Sequence, residues 1–319
     1  NISLIANSMQ VAAGINTNAG SSVTLRPYTN GVSINLGSAT DPIGGPLSLS
    51  DAELDFVTTG ALIIGDANTG TITVSADITR SAATDMQLAS NDDVVFSSGS
   101  INTSGGTLLL DPGNSPASVK PTFNGTDATA STVSFGSNLA IVINGTTPGN
   151  GTGTTYTQLT VAGAVNLTAV NLVLSGSHTP VAGQTFTIVD NDGADAITGT
   201  FTGLAEGTTI GNFLGSGLDA TITYMGGTGN DVVIALDCTV ACPGNLTVNF
   251  SDPAFALNGG SPAGGTYSGP GVSSGMFDPA TAGGGTHTIM YEYTNAAGCS
   301  GSCTFSITVN TGGASIQIS

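Results

Sequence analysis

The sequence between residues 62 and 112 repeats one short motif: Leu62-Ile-Ile-Gly-Asp66, then Met86-Gln-Leu-Ala-Ser90, then Leu108-Leu-Leu-Asp-Pro112. Each copy is a short apolar run that ends in turn-forming residues, which is the pattern of a β-strand. Similar runs recur through the N-terminal part at spacings of 17 to 24 residues, with the markers Ile5, Leu25, Leu47, Ile64, Leu88 and Leu110. A second series is spaced by 18 to 23 residues and has the markers Val11, Ile34, Leu54, Ile72 and Val95.

Two strand series that advance together by about 20 residues predict a solenoid, in which each coil stacks on the coil before it. A β-sandwich is the alternative for short strands at regular spacing. The solenoid is favoured because a sandwich of this length would require two domains, and no linker is visible before Asp237.

Basic side chains are almost absent: Arg26, Arg80 and Lys120 stand against 21 carboxylates, and the formal net charge of the 319 residues is −18. This balance excludes nucleic-acid binding, which needs a basic footprint to release counterions, and a polybasic membrane anchor. Only 8% of residues are charged, 39% are hydrophobic and 47 are glycine. No apolar run is long enough for a membrane-spanning helix, so membrane insertion is not expected. The composition predicts an extracellular all-β protein.

Residues 51–78, Asp51-Ala-Glu-Leu-Asp-Phe-Val-Thr-Thr-Gly-Ala-Leu-Ile-Ile-Gly-Asp-Ala-Asn-Thr-Gly-Thr-Ile-Thr-Val-Ser-Ala-Asp-Ile78, resemble repeats of filamentous-haemagglutinin-like bacterial surface proteins. Residues 140–235 are similar to the last coils of autotransporter-type passenger domains. The pieces that carry this similarity are Tyr156-Thr-Gln-Leu-Thr-Val-Ala-Gly-Ala-Val165, Gly183-Gln-Thr-Phe-Thr-Ile-Val189 and Tyr224-Met-Gly-Gly-Thr-Gly-Asn-Asp-Val-Val-Ile234. The resemblance covers roughly residues 1–237 and implies a right-handed parallel β-helix exported to the cell surface. Such families include adhesins, giant surface fibres and some enzymes.

A domain boundary is predicted near Asp237. Residues 1–237 carry 18 acidic and three basic side chains, net −15, whereas residues 238–319 carry three acidic ones, net −3, and all four cysteines. We therefore expect a parallel β-helix over residues 1–237 and a second domain over residues 238–311. Residues 312–319 form a tail.

The second domain has the pattern of a small antiparallel β-sandwich. Its candidate strands are Leu246–Phe250, Gly265–Tyr267, His287–Tyr293 and Thr304–Val309. Strict alternation in the last two predicts one buried and one wet face. The pieces Gly264-Gly-Thr-Tyr-Ser-Gly-Pro-Gly-Val272, Phe277-Asp-Pro-Ala-Thr-Ala-Gly283 and Tyr291-Glu-Tyr-Thr-Asn-Ala-Ala-Gly-Cys-Ser300 resemble Ig-like repeats of secreted Bacteroidota proteins. Those modules usually act as spacers or stalks.

The four cysteines, Cys238, Cys242, Cys299 and Cys303, form two C-x3-C pairs. A zinc site would usually use C-x2-C spacing, so two disulfides in an oxidising compartment are favoured. The sequence alone allows three pairings. The Ig-like resemblance, in which the first strand lies beside the last, favours Cys238–Cys299 with Cys242–Cys303.

Calcium is the one candidate cofactor. Asp190, Asp192 and Asp195 alternate around a glycine turn, and alternate carboxylates can surround this hard ion. The alternative is a polar loop built of good turn residues. Gly226-Gly-Thr-Gly-Asn-Asp-Val-Val-Ile234 matches the nonapeptide of calcium β-rolls, but those bind between consecutive repeats and only one copy is present.

Catalytic patterns are sparse. The only two histidines, His178 and His287, lie in different predicted domains, and no G-x-S-x-G elbow presents a serine to either. Asp92 and Asp93 are a candidate carboxylate pair, but adjacent residues on a strand point to opposite faces. No catalytic residue is therefore assigned. A β-helix polysaccharide lyase or glycosidase remains the alternative class.

The tail Ala314-Ser-Ile-Gln-Ile-Ser319 alternates apolar and polar residues after a Thr311-Gly-Gly313 hinge. Through Ile316 and Ile318 it could add as a strand to another subunit, or it could lead to a further module. The sequence thus predicts a non-enzymatic structural and adhesive protein of the bacterial cell surface. Its expected partners are further copies, associated head to tail in a fibre, and host-surface or extracellular-matrix ligands.

Overall fold

The chain is an all-β protein. A computed structural model describes residues 1–18, 20–114 and 116–312, with 45% of the chain in strands and 4% in helices. It divides into two compact units: unit 1 comprises Asn1–Thr179 and Thr185–Ala235, and unit 2 comprises Pro180–Gln184 and the residues from Leu236 onward. Within the described ranges, no helix has the length and apolar character needed to cross a bilayer.

Apart from residues 19 and 115, unit 1 is built from short strands, with one helical turn, α1 (Asp51–Leu54), and one 3-10 turn, Phe213–Gly215. Its strands are β1 (Ile2–Ile5), β2 (Ile15–Asn16), β3 (Ser22–Arg26), β4 (Ile34–Leu36), β5 (Leu47–Leu49), β6 (Val57–Thr58), β7 (Ala61–Gly65), β8 (Ile72–Val74), β9 (Ile78–Thr79), β10 (Asp85–Ala89), β11 (Val94–Phe96), β12 (Ile101–Asn102), β13 (Thr107–Asp111), β14 (Val119–Lys120), β15 (Ala128–Phe135), β16 (Asn138–Val142), β17 (Thr147–Gly149), β18 (Thr155–Thr157), β19 (Leu159–Asn166), β20 (Asn171–Ser175), β21 (Thr185–Asn191), β22 (Ile197–Thr198), β23 (Thr209–Ile210), β24 (Ala220–Gly226) and β25 (Asp231–Leu236).

The larger sheet of unit 1 stacks successive stretches of the chain in parallel. Its path runs β1-β3-β7-β10-β13-β15-β19-β21 and continues through β25, β24 and β23. Leu25 pairs with Ile64, Ile64 with Leu88, and Leu88 with Leu110. None of these four side chains has exposed surface. They form an apolar ladder that repeats at the strand spacing of about 4.8 Å.

A second, seven-stranded parallel sheet follows the order β20-β16-β14-β11-β8-β4-β5. Ile34 pairs with Ile72, and Ile72 with Val94, and all three are buried. The predicted all-β class is thus confirmed, and the predicted pairing of strands from successive stretches is observed in both sheets.

The first ladder differs from its sequence markers at Leu47. Leu47 lies in β5 and pairs with Ile34 in the second sheet, so Leu25 pairs directly with Ile64. The step between these two partners is therefore 39 residues, because the chain makes an additional strand and the turn α1 between them. Ser50 and Glu53 close that turn with reciprocal capping hydrogen bonds, which sequence reasoning overlooked although S-x-x-E is a known start signal.

Three further markers were misplaced. Leu54 lies in α1, and Val11 is buried but belongs to no strand. At the marker Val95 the predicted register is off by one residue, because Val94 rather than Val95 pairs with Ile72. A one-residue error is decisive in a strand, because it moves every side chain to the opposite face.

The same one-residue error occurs at the first marker, where Leu4 rather than Ile5 pairs with Leu25. At the other end of unit 1, the parallel stacking expected to continue to residue 237 changes direction. β21 pairs antiparallel with β25, and β23 pairs antiparallel with β24. The last strands of unit 1 therefore form antiparallel pairs at the end of the parallel stack.

Acidic residues link neighbouring stretches of unit 1. Asp85 accepts hydrogen bonds from the backbone N–H and hydroxyl of Thr107, at 2.8 and 2.9 Å. Asp77 accepts the equivalent pair from Ser100, at 3.0 and 2.9 Å. Some of the acidic side chains therefore stabilise the stacking of neighbouring stretches, because each carboxylate accepts from backbone N–H and hydroxyl groups that would otherwise lack a protein partner.

The described part of unit 2, which ends at residue 312, contains two small sheets and one helical turn, α2 (Pro279–Ala282). Its strands are β26 (Leu246–Asn249), β27 (Phe255–Ala256), β28 (Thr266–Ser268), β29 (Val272–Ser273), β30 (Met276–Phe277), β31 (Gly285–Thr294) and β32 (Ser300–Asn310). One sheet has the order β26-β32-β31-β28 and the other β27-β30-β29. The four strands predicted from sequence correspond to β26, β28, β31 and β32. The β26–β32 pair is parallel, whereas an antiparallel sandwich was expected.

The core of unit 2 lies between these strands. Phe277, Ile289 and Ile307 have no exposed surface, and Phe305 and Val309 are also buried. The alternation in β31 and β32 places Ile289, Phe305, Ile307 and Val309 on the buried face of their sheet.

Candidate functional site

All four cysteines are oxidised. Cys238 is bonded to Cys299 and Cys242 to Cys303, which is the pairing that the Ig-like resemblance favoured. Both bonds tie the segment before β26 to the chain at the start of β32. A disulfide sulfur is not a thiolate ligand for zinc. The two bonds indicate an oxidising environment, extracellular or periplasmic.

The predicted calcium loop makes hydrogen bonds through a carboxylate oxygen and a backbone carbonyl oxygen. Asp192 Oδ1 accepts the N–H of Gly163 at 3.1 Å, and the carbonyl oxygen of Asp195 accepts from Asn191 Nδ2 at 2.9 Å. Asp190 is half-buried at the end of β21. Burial raises its pKa, and so do the charges of Asp231 and Asp192.

The β-roll-like motif contacts this same loop. Asn230 Nδ2 donates to the carbonyl oxygen of Asp195 at 2.8 Å. Asp231 is buried and accepts the N–H of Asn191 at 2.9 Å and that of Thr228 at 3.2 Å. The two motifs were considered separately in the sequence, and the structure brings them together as a polar junction between β21 and β25.

Across the described part of the chain, no three His, Cys, Asp or Glu side chains are grouped so that they could hold a metal ion. This includes Asp190, Asp192 and Asp195. Hydrogen bonds join this loop to the chain around β19 and β25. Calcium binding by Asp190, Asp192 and Asp195 stays a prediction.

A buried carboxyl, Asp127, was missed by sequence reasoning. Asp127 precedes β15 and has no exposed surface. Its Oδ2 accepts the N–H of Thr160 at 2.9 Å, while Oδ1 has no hydrogen-bond partner. Desolvation raises the pKa of Asp127 to about 8, against a smaller opposing effect of the Thr160 hydrogen bond. No local signal distinguishes this residue from an exposed turn Asp, because neighbouring stretches bury it.

An open groove of about 340 Å³ lies close to this carboxyl. Phe123, Gln158, Thr160 and Asp190 contribute to its wall. Thr160 pairs in register with Asp190, but Asp127 itself lies beneath the surface. Glycoside hydrolysis commonly uses two carboxyl groups that flank the scissile bond, and Asp190 is the one carboxyl among the described residues that line this groove.

The other acid–base candidates have structural partners. His287 Nε2 lies 2.8 Å from the carbonyl oxygen of Gly283 in unit 2. His178 packs edge-on against Phe186 in unit 1, with ring centroids 5.9 Å apart. The two histidines belong to different units, as predicted from their positions in the sequence.

Asp92 and Asp93 also point to different partners. Asp92 accepts from the hydroxyl of Thr71 at 2.9 Å. Asp93 accepts the N–H of Ser118 at 2.9 Å and pairs with Lys120 Nζ at 2.6 Å. These contacts join neighbouring stretches of unit 1 and do not aim two carboxyls at one substrate position.

The predicted assembly residues Ile316 and Ile318 lie outside the described residues. Comparisons with protein-family models, curated proteins and solved structures found no match to this chain.

Proposed function

We propose that this chain is a non-enzymatic structural and adhesive component of a bacterial surface fibre. In this proposal residues 1–237 wind as a right-handed parallel β-helix and residues 238–311 form an Ig-like spacer. The chain acts outside the cell as an extended subunit that assembles into a fibre. Its partners are further copies and host-surface or matrix ligands.

The parallel stacking of unit 1 carries the proposal. Its side-chain ladders are continuous and apolar inside, and adjacent stretches are joined by backbone hydrogen bonds along their length. Repeated stacking of this kind gives a quasi-one-dimensional structure in which each stretch contacts only its neighbours. Such an architecture suits a mechanical element.

The state of the three basic side chains supports a non-enzymatic role. Arg80 is buried and donates to the carbonyl oxygens of Leu54 and Val57. Arg26 pairs with Asp66 at 3.2 Å, and Lys120 with Asp93 at 2.6 Å. A lyase acting on acidic sugars needs cationic side chains to stabilise developing negative charge, and in this chain each of the three is already engaged.

Light scattering of the full chain over a range of concentrations, combined with incubation on neutral and acidic polysaccharides, tests the proposal. We expect the mass to rise with concentration and no new reducing ends or unsaturated sugars to form. A constant monomer mass together with depolymerisation would instead establish the carbohydrate-active alternative.

A further inference from the structure

Unit 2 has an open apolar groove between its two sheets. The groove has a volume of about 330 Å³ and is lined by Leu246 and Val248 of β26, by Phe255 and Leu257 at β27, and by Phe305 of β32. Within the described residues, β26 and β27 are end strands of their sheets. The groove therefore lies where each sheet offers a free edge to a further strand.

Apolar side chains that line this groove remain partly exposed to solvent. Leu246 pairs with the fully buried Ile307, yet is itself 42% exposed. Of the described residues that line the groove, none is charged. An uncharged segment with alternate apolar residues would bury these side chains and pair with the free edge of β26.

The sequence supplies such a segment in Ala314-Ser-Ile-Gln-Ile-Ser319. It has no charged side chain, and in an extended conformation Ala314, Ile316 and Ile318 share one face. We propose that the groove between β26 and β27 binds residues 314–319 of a second copy of this chain. This inference rests on the proposed function, because it identifies the contact through which the copies assemble.

The reach of the chain favours a second copy over the same molecule. β32 ends at Asn310, whose carbonyl oxygen accepts the N–H of Phe250 at 3.0 Å, next to the end of β26. To lie along the far edge of β26, the chain must cross two strand spacings, about 10 Å, between Asn310 and Ala314 and also reverse its direction. A tight turn that reverses the chain spans less than about 7 Å between its ends. A reversed segment of the same molecule therefore falls short of the far edge of β26.

The contact is heterologous, because each copy donates one segment and accepts another. Repetition of a heterologous contact produces an open chain of subunits unless the rotation closes a ring. The groove thus gives the proposed fibre a specific joint in unit 2.

Sedimentation velocity of the full chain and of three variants tests this joint. The tail variant carries Ile316→Asp and Ile318→Asp, and the groove variant carries Leu246→Asp. Thr247→Asp is the matched control, because Thr247 lies on the opposite face of β26. We expect the tail and groove variants to self-associate at least about tenfold more weakly than the native chain, and the control to behave as the native chain does.

A mixture of the tail variant and the groove variant gives the most decisive measurement. The tail variant retains an intact groove and the groove variant an intact tail, so the mixture should form a one-to-one heterodimer. A mixture that stays monomeric, or a tail variant that associates like the native chain, would overturn the proposal. Because Leu246 lies at the rim, the groove variant is expected to retain the native circular dichroism spectrum.

A labelled peptide of residues 312–319, added to the tail variant, separates the joint from the proposed function. Fluorescence anisotropy should show binding that the peptide change Ile316→Asp weakens at least about tenfold and that Gln317→Asp leaves intact. If the peptide binds and the native chain forms only closed oligomers, the groove assignment stands and the fibre proposal fails. If fibres form equally with the tail variant, the groove assignment fails and the fibre proposal stands.

Discussion

Replacing Asp127 with an asparagine should make the stability of unit 1 less dependent on pH. The carboxyl has no exposed surface, and only one of its oxygens accepts a hydrogen bond, from Thr160. Burial raises its pKa from 3.8 to about 8. The folded chain therefore holds a proton between about pH 4 and pH 8 that the unfolded chain releases.

The sign of the effect follows from this proton. Where the folded state binds more protons than the unfolded state, the free energy of unfolding falls as pH rises. The stabilisation from protonated Asp127 is complete below pH 3.8 and is lost by about pH 8. A pKa change of this size corresponds to about 6 kcal/mol as an upper limit, and water entering the site would lower it. The amide in the Asp127→Asn variant cannot ionise, so the variant does not lose this stabilisation as the pH rises. The difference in free energy of unfolding, variant minus native chain, should therefore grow by about 3–6 kcal/mol between pH 4 and pH 8.

Urea unfolding at several pH values, followed by far-UV circular dichroism, measures this difference. Asp195→Asn removes an exposed carboxylate from the same unit and controls for the loss of one charge. Carbon-13 NMR of the Asp127 carboxyl gives an independent titration. The reasoning would be refuted by a variant-minus-native difference that changes by less than about 1 kcal/mol over this range, or by a carboxyl that titrates near about pH 4.

Three further variants test the packing. Leu88→Ala should lower the free energy of unfolding by about 2–5 kcal/mol, because it opens a cavity in a fully buried ladder. Denaturant unfolding measures this loss, with Gln87→Ala as the neighbouring control. A loss below about 1 kcal/mol would contradict the buried position of Leu88 in the ladder. Arg80→Ala should cost about 2–6 kcal/mol, because the carbonyl oxygens of Leu54 and Val57 lose their donor at about 1–3 kcal/mol each. Hydrogen exchange should then accelerate around α1 before other regions. Replacing Cys242 and Cys303 together by Ser should destabilise unit 2 by about 2–3 kcal/mol, because the retained Cys238–Cys299 bond leaves this bond only a ring of about ten residues to close. Unchanged thermal unfolding of unit 2 would show that this bond is dispensable.

The repeated motif was sufficient to predict the class of the fold and much of its pairing. Ile64, Leu88 and Leu110 were correctly placed on one ladder, because alternation marks the buried face and the spacing marks the partner. The prediction failed where the chain departs from the repeat. Leu47 has the same local pattern as a ladder residue, but an additional strand and a helical turn place it in the other sheet. Local pattern cannot specify such an insertion.

The candidate site was less accessible to sequence reasoning. Asp190 and Asn230 stand in motifs that were recognised singly, but their closeness depends on the antiparallel pairing of β21 with β25. Asp127 lies in a polar stretch like many exposed aspartates, and only stacking reveals its burial. By contrast, the cysteine pairing was favoured by the Ig-like resemblance, which sets the first strand beside the last, and the observed bonds have that pairing.

Negative-stain electron microscopy of the purified chain tests the central claim most directly. A structural subunit that assembles through heterologous contacts should produce unbranched filaments whose length increases with protein concentration. Uniform single particles at every concentration, with no filaments or end-to-end contacts, would contradict the account.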